Sequence, residues 1–360
     1  MKAMRIQDGR CCRWSAIGLG IAAWLLASAT LVWSTGHAAE NDTVGENGHA
    51  VIFMYHRFGE GAHPSTNVTL DQLDAHIKEL SSGKYNVRPL PEIISALRQG
   101  RVLADRTVGI SIDDAYLSVY REAWPRFRKA GLPFTVFIAT DPVDRGVRGY
   151  MNWNQLRELK DAGVSLGSQT ATHLHMAAAT ADANRRDMVV SNGRFRVALG
   201  AAPALFAYPY GENSLAARTV IKDAGFSAAF GQHSGVIGGG QDLFYLPRFA
   251  LNEAYGSLER LRLAANALPF PVSDVTPIDH LITAQNPPLI GFTAGMGVQR
   301  LGRLSCFTSH EGRVRLEMIG RRIEVRATNA FPSGRTRLNC TLPAADGRWH
   351  WYGRQFYRSE

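Results

Sequence analysis

The stretch Thr107–Asp114, TVGISIDD, decides the fold. It is an apolar run of strand type that stops on two carboxylates, Asp113 and Asp114. Adjacent residues of an extended chain point to opposite sides, so the two aspartates take different roles. One can ligate a metal ion while the other accepts a proton from water. Taken alone, the pair reads as a helix cap followed by a solvated carboxylate. The surroundings decide. From His49 to Phe249 strand-like and helix-like stretches alternate. AVIFMYH, TVGISIDD, PFTVFIAT, VSLGSQ, ALFAYPYG and FSAAF read as strands. TLDQLDAHIKELSS, SVYREAWPRFRKAG, NWNQLRELKDAG, Ala181–Leu199 and SLAARTVIKDAG read as helices, several of them closed by glycine. Such alternation implies a parallel α/β architecture, and the number of units favours a barrel over an open sheet.

Polar residues gather at the C-terminal ends of these strands: His56, Asp113 with Asp114, Gln169 with His173, and Tyr210. That is where α/β barrels place their chemistry, because the loops after the strands converge there. LGSQTATHLHM (Leu166–Met176) adds His173 and His175. An imidazole at His173 suits zinc and similar divalent ions, although a single histidine in a small-residue loop reads equally as surface.

MYHRFGE, SIDDAY, QTATH and FAYPYGE, in this order and spacing, resemble the polysaccharide deacetylases with the NodB homology domain, carbohydrate esterase family four. Ser111–Asp114 matches both aspartates of that family's first motif. Gln169–His173 matches its His-Ser/Thr-x-x-His motif in all but the first histidine, and Ala207–Tyr210 matches its third motif without the arginine. The resemblance covers about residues 50–250. It implies a distorted (β/α) barrel with Asp113 as general base and Asp114 and His173 as metal ligands. It also implies that the backbone N–H of Tyr210 is the donor to an oxyanion. The family's late acidic histidine has no convincing copy here, since His280 in IDHLI falls in an apparent linker. AVIFMYH instead resembles that last strand moved to the front, as in circularly permuted poly-N-acetylglucosamine deacetylases. His56 is then the expected general acid. Gln169 is the departure. A neutral amide oxygen is a weak ligand, so either Gln169 or His175 completes the shell, and the expectation settles on His175. Arg248 in LPRF either steadies Asp113 or lies on the surface.

Beyond DVTPIDHLITAQNPP the texture becomes short alternating stretches, RVRLEMI, RIEVRATN, TRLNCTL and RWHWYGRQF. These indicate a small antiparallel β domain over 288–360, a sandwich, after a barrel over 49–272. Trp349, Trp351 and Tyr352 read as packing residues before sugar-stacking ones. Cys306 and Cys340 fall together in this segment, which favours a disulfide. Residues 1–39 carry a basic start and the apolar run SAIGLGIAAWLLASATLVW, a signal peptide or N-terminal membrane anchor. The rest is expected to be exported, periplasmic or secreted, with possible inner-membrane association through that segment. The net charge of +9 is inflated by Lys2, Arg5, Arg10 and Arg13, and nucleic acid is the weakest partner reading.

The expectation is therefore a hydrolase that removes acetyl groups from N-acetylated sugars of a polysaccharide. Its cofactor would be a divalent metal, zinc first, with nickel or cobalt as alternatives. The rival readings are a glycan-binding protein without turnover and an O-acetyl polysaccharide esterase.

Overall fold

The structure, a computed structural model, describes residues 48–359. The expected targeting segment, 1–39, lies outside them.

Strand β1 (Ala50–Tyr55) is apolar at every position because both of its faces are covered, and all six residues are buried. Two short strands, β2 (Arg57–Phe58) and β3 (Asn67–Val68), pair beside its end. Helix α1 (Leu70–Leu80) begins where the sequence places it. The Thr69 hydroxyl accepts from the Gln72 N–H while the Gln72 side chain accepts from the Thr69 N–H, a reciprocal cap. β4 (Asn86–Val87) and α2 (Leu90–Arg98) lead into β5 (Thr107–Asp113), which is buried throughout. There follow α3 (Trp124–Lys129), β6 (Thr135–Ile138), α4 (Thr140–Asp144), α5 (Trp153–Asp161), β7 (Ser165–Ser168) and α6 (Ala181–Leu199). β8 (Leu205–Ala207), α7 (Leu215–Asp223), β9 (Ala228–Phe230), β10 (Phe249–Ala250) and α8 (Leu258–Ala265) complete this half. The stretch SVYREAWPRFRKAG is not one α-helix. Its first turn, Val119–Ala123, is a π-helix, and the α-helix starts just before Pro125. Proline lacks the N–H that an uninterrupted α ladder would need.

The strands run parallel in the order β10-β1-β5-β6-β7-β8-β9. Phe230 of β9 bridges to Leu246, and Phe249 of β10 pairs with Phe53 of β1. The segment 246–250 thus touches both edges and curls the sheet into the expected distorted barrel. Alternate residues of β1 feed two cores, with Ala50 and Ile52 in one and Val51, Phe53 and Tyr55 in the other.

The second sheet is built from β11 (Leu268–Pro269), β12 (Val272–Thr276), β13 (Ile290–Ala294) and β14 (Ser305–Thr308). It continues through β15 (Gly312–Ile319), β16 (Arg322–Arg326), β17 (Gly334–Pro343) and β18 (Trp349–Arg358). The order is β11-β18-β17-β14-β15-β16-β13-β12, antiparallel except for β11 on β18. Strand pairing draws Leu268–Thr276 into this sheet. Phe292 of β13 meets Tyr352 of β18 at 4.9 Å although four strands separate them in the order, so the sheet folds over one core. Cys306 and Cys340 lie opposite each other on β14 and β17 and form the expected disulfide. At a sequence separation of 34, the cross-link restricts the unfolded chain by about 3–4 kcal/mol in the loop-entropy account.

β18 lies against the barrel. Trp351 packs edge-on to Phe249 at 5.1 Å, and Tyr352 packs on Phe270 and Phe292. Both are packing residues, as expected. A Cβ on Gly353 would meet the Ser234 carbonyl oxygen at 1.9 Å, so only glycine lets the two backbones approach this closely.

Candidate active site

Asp113 ends β5 with a fully buried side chain, and Arg248, just before β10, holds both of its oxygens at 2.7 and 2.9 Å. Arg248 is itself fully buried. It also donates to the Ser111 hydroxyl and, through Nε, to the Gly231 carbonyl. The bidentate pair fixes the orientation of the carboxylate. His56, the residue after β1, brings Nε2 to 3.9 Å from Asp113 Oδ2. The neighbouring strands β1 and β5 thus place an imidazole beside a carboxylate.

Asp114 and Ala115 have φ of 74° and 48°, left-handed values that turn the chain sharply out of the strand. The turn aims Asp114 at the loop after β7, where its Oδ1 lies 3.3 Å from His173 Nε2. Burial works to raise the Asp114 carboxyl. Hydrogen bonding to His173 and the neighbouring His56 outweigh burial and leave it below its ordinary value. The loop is itself strained, since Thr170 and His173 have φ of 69° and 58°. Such residues cost about 1–3 kcal/mol each unless the surroundings hold them. Asp187 of α6 does so by accepting from the Ala171 N–H at 2.6 Å and the Thr172 hydroxyl at 2.7 Å. The Thr170 hydroxyl accepts from the His173 N–H.

Gln169 opens this loop fully buried, and both polar atoms of its amide lack a partner. A buried amide left without a partner costs about 1–3 kcal/mol. His175, the expected third ligand, is turned elsewhere. Its Nδ1 lies 2.7 Å from Glu212 Oε2, and its ring stacks on Tyr210 at 4.2 Å. Tyr210 also meets His173 edge-on at 4.5 Å. The tyrosine ring contacts both imidazoles, and the buried Glu212 carboxylate holds His175 away from the Asp114–His173 pair.

Tyr210 sits in a tight turn after β8 with φ 57°. The Tyr208 and Pro209 carbonyls accept from Gly211 and Glu212, and the Gly211 carbonyl accepts from the Tyr245 hydroxyl at 2.7 Å. Beside Asp114 stand Tyr116 and Tyr150, with rings 4.8 Å apart and the Arg57 guanidinium over Tyr116 at 3.4 Å. Burial and the nearby Asp114 carboxylate push the Tyr116 phenol well up.

The barrel therefore brings together His56, Asp113, Asp114, His173 and Tyr210 at one end, and leaves His175 beside Tyr210 on Glu212. Tyr116, Tyr150, Glu212 and Asp187 escaped the sequence reading. Tyr116 and Glu212 are the last residues of the quoted SIDDAY and FAYPYGE and were findable there, whereas Asp187 lies on a helix face with no distinguishing pattern. His280, set aside as linker, is buried between Arg218 and Arg354. Trp153 packs on Phe195.

A divalent ion is implied by the family resemblance. Ligand atoms about 2.0–2.2 Å from a tetrahedral zinc stand about 3.3 Å apart, which is the Asp114–His173 spacing. Among the described residues no three of His, Cys, Asp and Glu cluster to hold an ion. The orphaned Gln169 amide oxygen supplies a donor of another type. Asp114 and His173 are thus at ligand spacing, and the Gln169 amide is an unpaired polar group at the start of the same loop.

Residues 100–229 match the family model described as polysaccharide deacetylase. A putative polysaccharide deacetylase of Bacillus subtilis, YxkH, is 24% identical over 197 residues, covering 55% of this chain and 69% of that protein. A poly-beta-1,6-N-acetyl-D-glucosamine N-deacetylase of Staphylococcus aureus is 24% identical over 235 residues, 59% of this chain and 80% of that one. Among solved structures, the Streptococcus pyogenes deacetylase PplD in complex with acetate superposes with a TM-score of 0.56 at 21% identity. It covers 60% of this chain and 98% of its own. IcaB from Ammonifex degensii gives 0.55 at 22% identity, covering 62% and 100%. These two structures share the barrel fold. The matched family segment starts after β1 and ends before the closing strand β10.

Proposed function

We propose, on the premise that residues 100–229 carry a polysaccharide deacetylase domain, that the chain hydrolyses the acetamide of N-acetylated sugars in a polysaccharide. The observation that carries this reading is the convergence of His56, Asp113, Asp114, His173 and the Tyr210 turn at one end of the barrel. Asp114 and His173, with the Gln169 amide oxygen, would hold a divalent ion, zinc first. When bound, such an ion polarises the acetamide carbonyl and acidifies water.

The chain's own groups do the rest. Asp113, oriented by Arg248, takes a proton from the attacking water as the new C–O bond forms. The Tyr210 N–H donates to the oxygen that becomes negative as the carbonyl carbon turns tetrahedral. His56, beside Asp113, gives its proton to the sugar nitrogen as the C–N bond breaks. Acetate and a free amine leave. The rings of Tyr116 and Tyr150 offer an apolar wall beside Asp114 against which a sugar can pack. The reading includes export. It is supported by the signal-like pattern of residues 1–39 and by a disulfide of the kind that persists in oxidising compartments.

The test is acetate release from β-1,6-linked N-acetylglucosamine oligomers by purified chain, with metal content measured on the same sample. Wild type should release acetate, and Asp113→Asn should lower the rate by about 10²-fold or more. Gln169→His should raise metal affinity, because imidazole replaces a neutral amide. Folded protein without metal, inactive on several N-acetylated glycans, would overturn the reading in favour of a glycan binder. Acetate from O-acetylated xylan alone would make it an esterase.

A further inference from the structure

The Tyr210 carbonyl is held from outside the barrel. Gln355, in the middle of β18, donates its side-chain amide to that oxygen at 3.0 Å, across 145 residues of sequence. Arg335 of β17 reaches the same oxygen at 3.5 Å. Its guanidinium lies over the Tyr210 ring at 5.6 Å and stands 3.9 Å from Glu212. Gln355 is buried and is itself oriented, because Arg337 donates to its Oε1 at 3.2 Å. The strand beneath it is fixed on both sides. β17 pairs with it, and the Ile282 N–H donates to the Tyr357 carbonyl while the Tyr357 N–H donates to the His280 carbonyl. The other carbonyls of the turn are satisfied within the barrel. The second sheet therefore supplies the side-chain hydrogen bonds to Tyr210, whose left-handed backbone sets the direction of its N–H.

We propose that Gln355, supported by Arg335, is a positioning residue for the Tyr210 N–H, so that the C-terminal sheet is a working part of the active site. This rests on the deacetylase reading above. Tyr210 at φ 57° is strained for a residue with a side chain, and a strained turn keeps its geometry only while its surroundings hold it. An N–H donor to a developing oxyanion acts in the transition state and contributes little to ground-state binding. Displacing the donor therefore lowers kcat and leaves KM nearly unchanged.

The test uses the full chain with Gln355→Met, which keeps the side-chain length and removes the donor, and Arg335→Ala at an exposed position. Gln355→Met should lower kcat for acetate release by tenfold to a hundredfold at unchanged KM. The double variant should be scarcely worse than Gln355→Met alone, because both residues act on one carbonyl. Hydrogen exchange of the segment 208–212 should rise in Gln355→Met while that of β1 and β5 stays as in wild type. Unchanged exchange at 208–212 would overturn the tether whether or not the wild type is active. A loss of activity lying wholly in KM, or additive in the double variant, would overturn the positioning role. Raised exchange in a protein whose wild type releases no acetate would retain the tether and sink the deacetylase reading instead.

Discussion

Asp113 and Arg248 form an ion pair with no exposed surface on either side chain. Removing one partner of such a pair leaves an uncompensated buried charge, which costs about 3–5 kcal/mol. Arg248→Met should lower the unfolding free energy of the chain by that amount at pH 7. The check is the denaturant midpoint at constant slope, and a loss below about 1 kcal/mol would mean that water reaches Asp113 once the arginine is gone. This pair also shows where sequence reading stops. The carboxylate was legible because it ends a strand, and Arg248, 135 residues on, was named as a residue that could steady it, but LPRF alone left a surface position equally open. The third donor failed for a different reason. Thr170 and His173 take left-handed backbone without being glycine or asparagine, so spacing could not say which way Gln169 and His175 turn.

Among the elements, the longer strands and most of the helices with polar caps were the legible ones. Thr69, Asn152, Thr180 and Ser214 each accept from an N–H in the first turn of the helix they precede. Helices α2 and α8 were passed over. α2 starts at Pro89 without a side-chain cap, and α8 is only eight residues long. α8 is secured to α1 through Arg262, which donates to the buried Glu79 at 2.7 Å. That hydrogen bond, helped by one from Tyr85, outweighs burial and holds the Glu79 carboxyl below its ordinary value of 4.5. A carboxyl held low in the folded state contributes stability above its unfolded value, and that stability is lost as pH falls through the folded value. Glu79→Gln should therefore melt lower than wild type at pH 7, and the gap should close as the pH is taken down below 4.5. Melting curves across that range check it, and a gap that does not change with pH would assign the effect to packing.

Across the whole molecule, the alternation of strands and helices announced the barrel. The join between barrel and second sheet was invisible, because it depends on two backbones meeting at Gly353 and Ser234. Gly353→Ala should cost about 1–3 kcal/mol, since the added methyl meets a carbonyl oxygen that cannot yield. Gly193→Ala makes the contrast. Nothing lies within 4 Å of a Cβ there, and a helix-interior alanine should gain about 0.5–1 kcal/mol. Thermal unfolding of both variants separates the two effects, and equal responses would contradict the close approach.

The order of the strands has a consequence for biosynthesis. β1 is the first of the described barrel strands to be made, yet one of its edges is covered by Ile237 and by Phe249 and Ala250 of β10, all far along the chain. A ribosome must therefore add the whole intervening barrel before that flank is closed. Until then an entirely apolar strand presents open backbone groups, a template for mispairing with other chains. The arrangement that sets His56 beside Asp113 makes the nascent chain dependent on whatever shields its leading strand while the remainder is made.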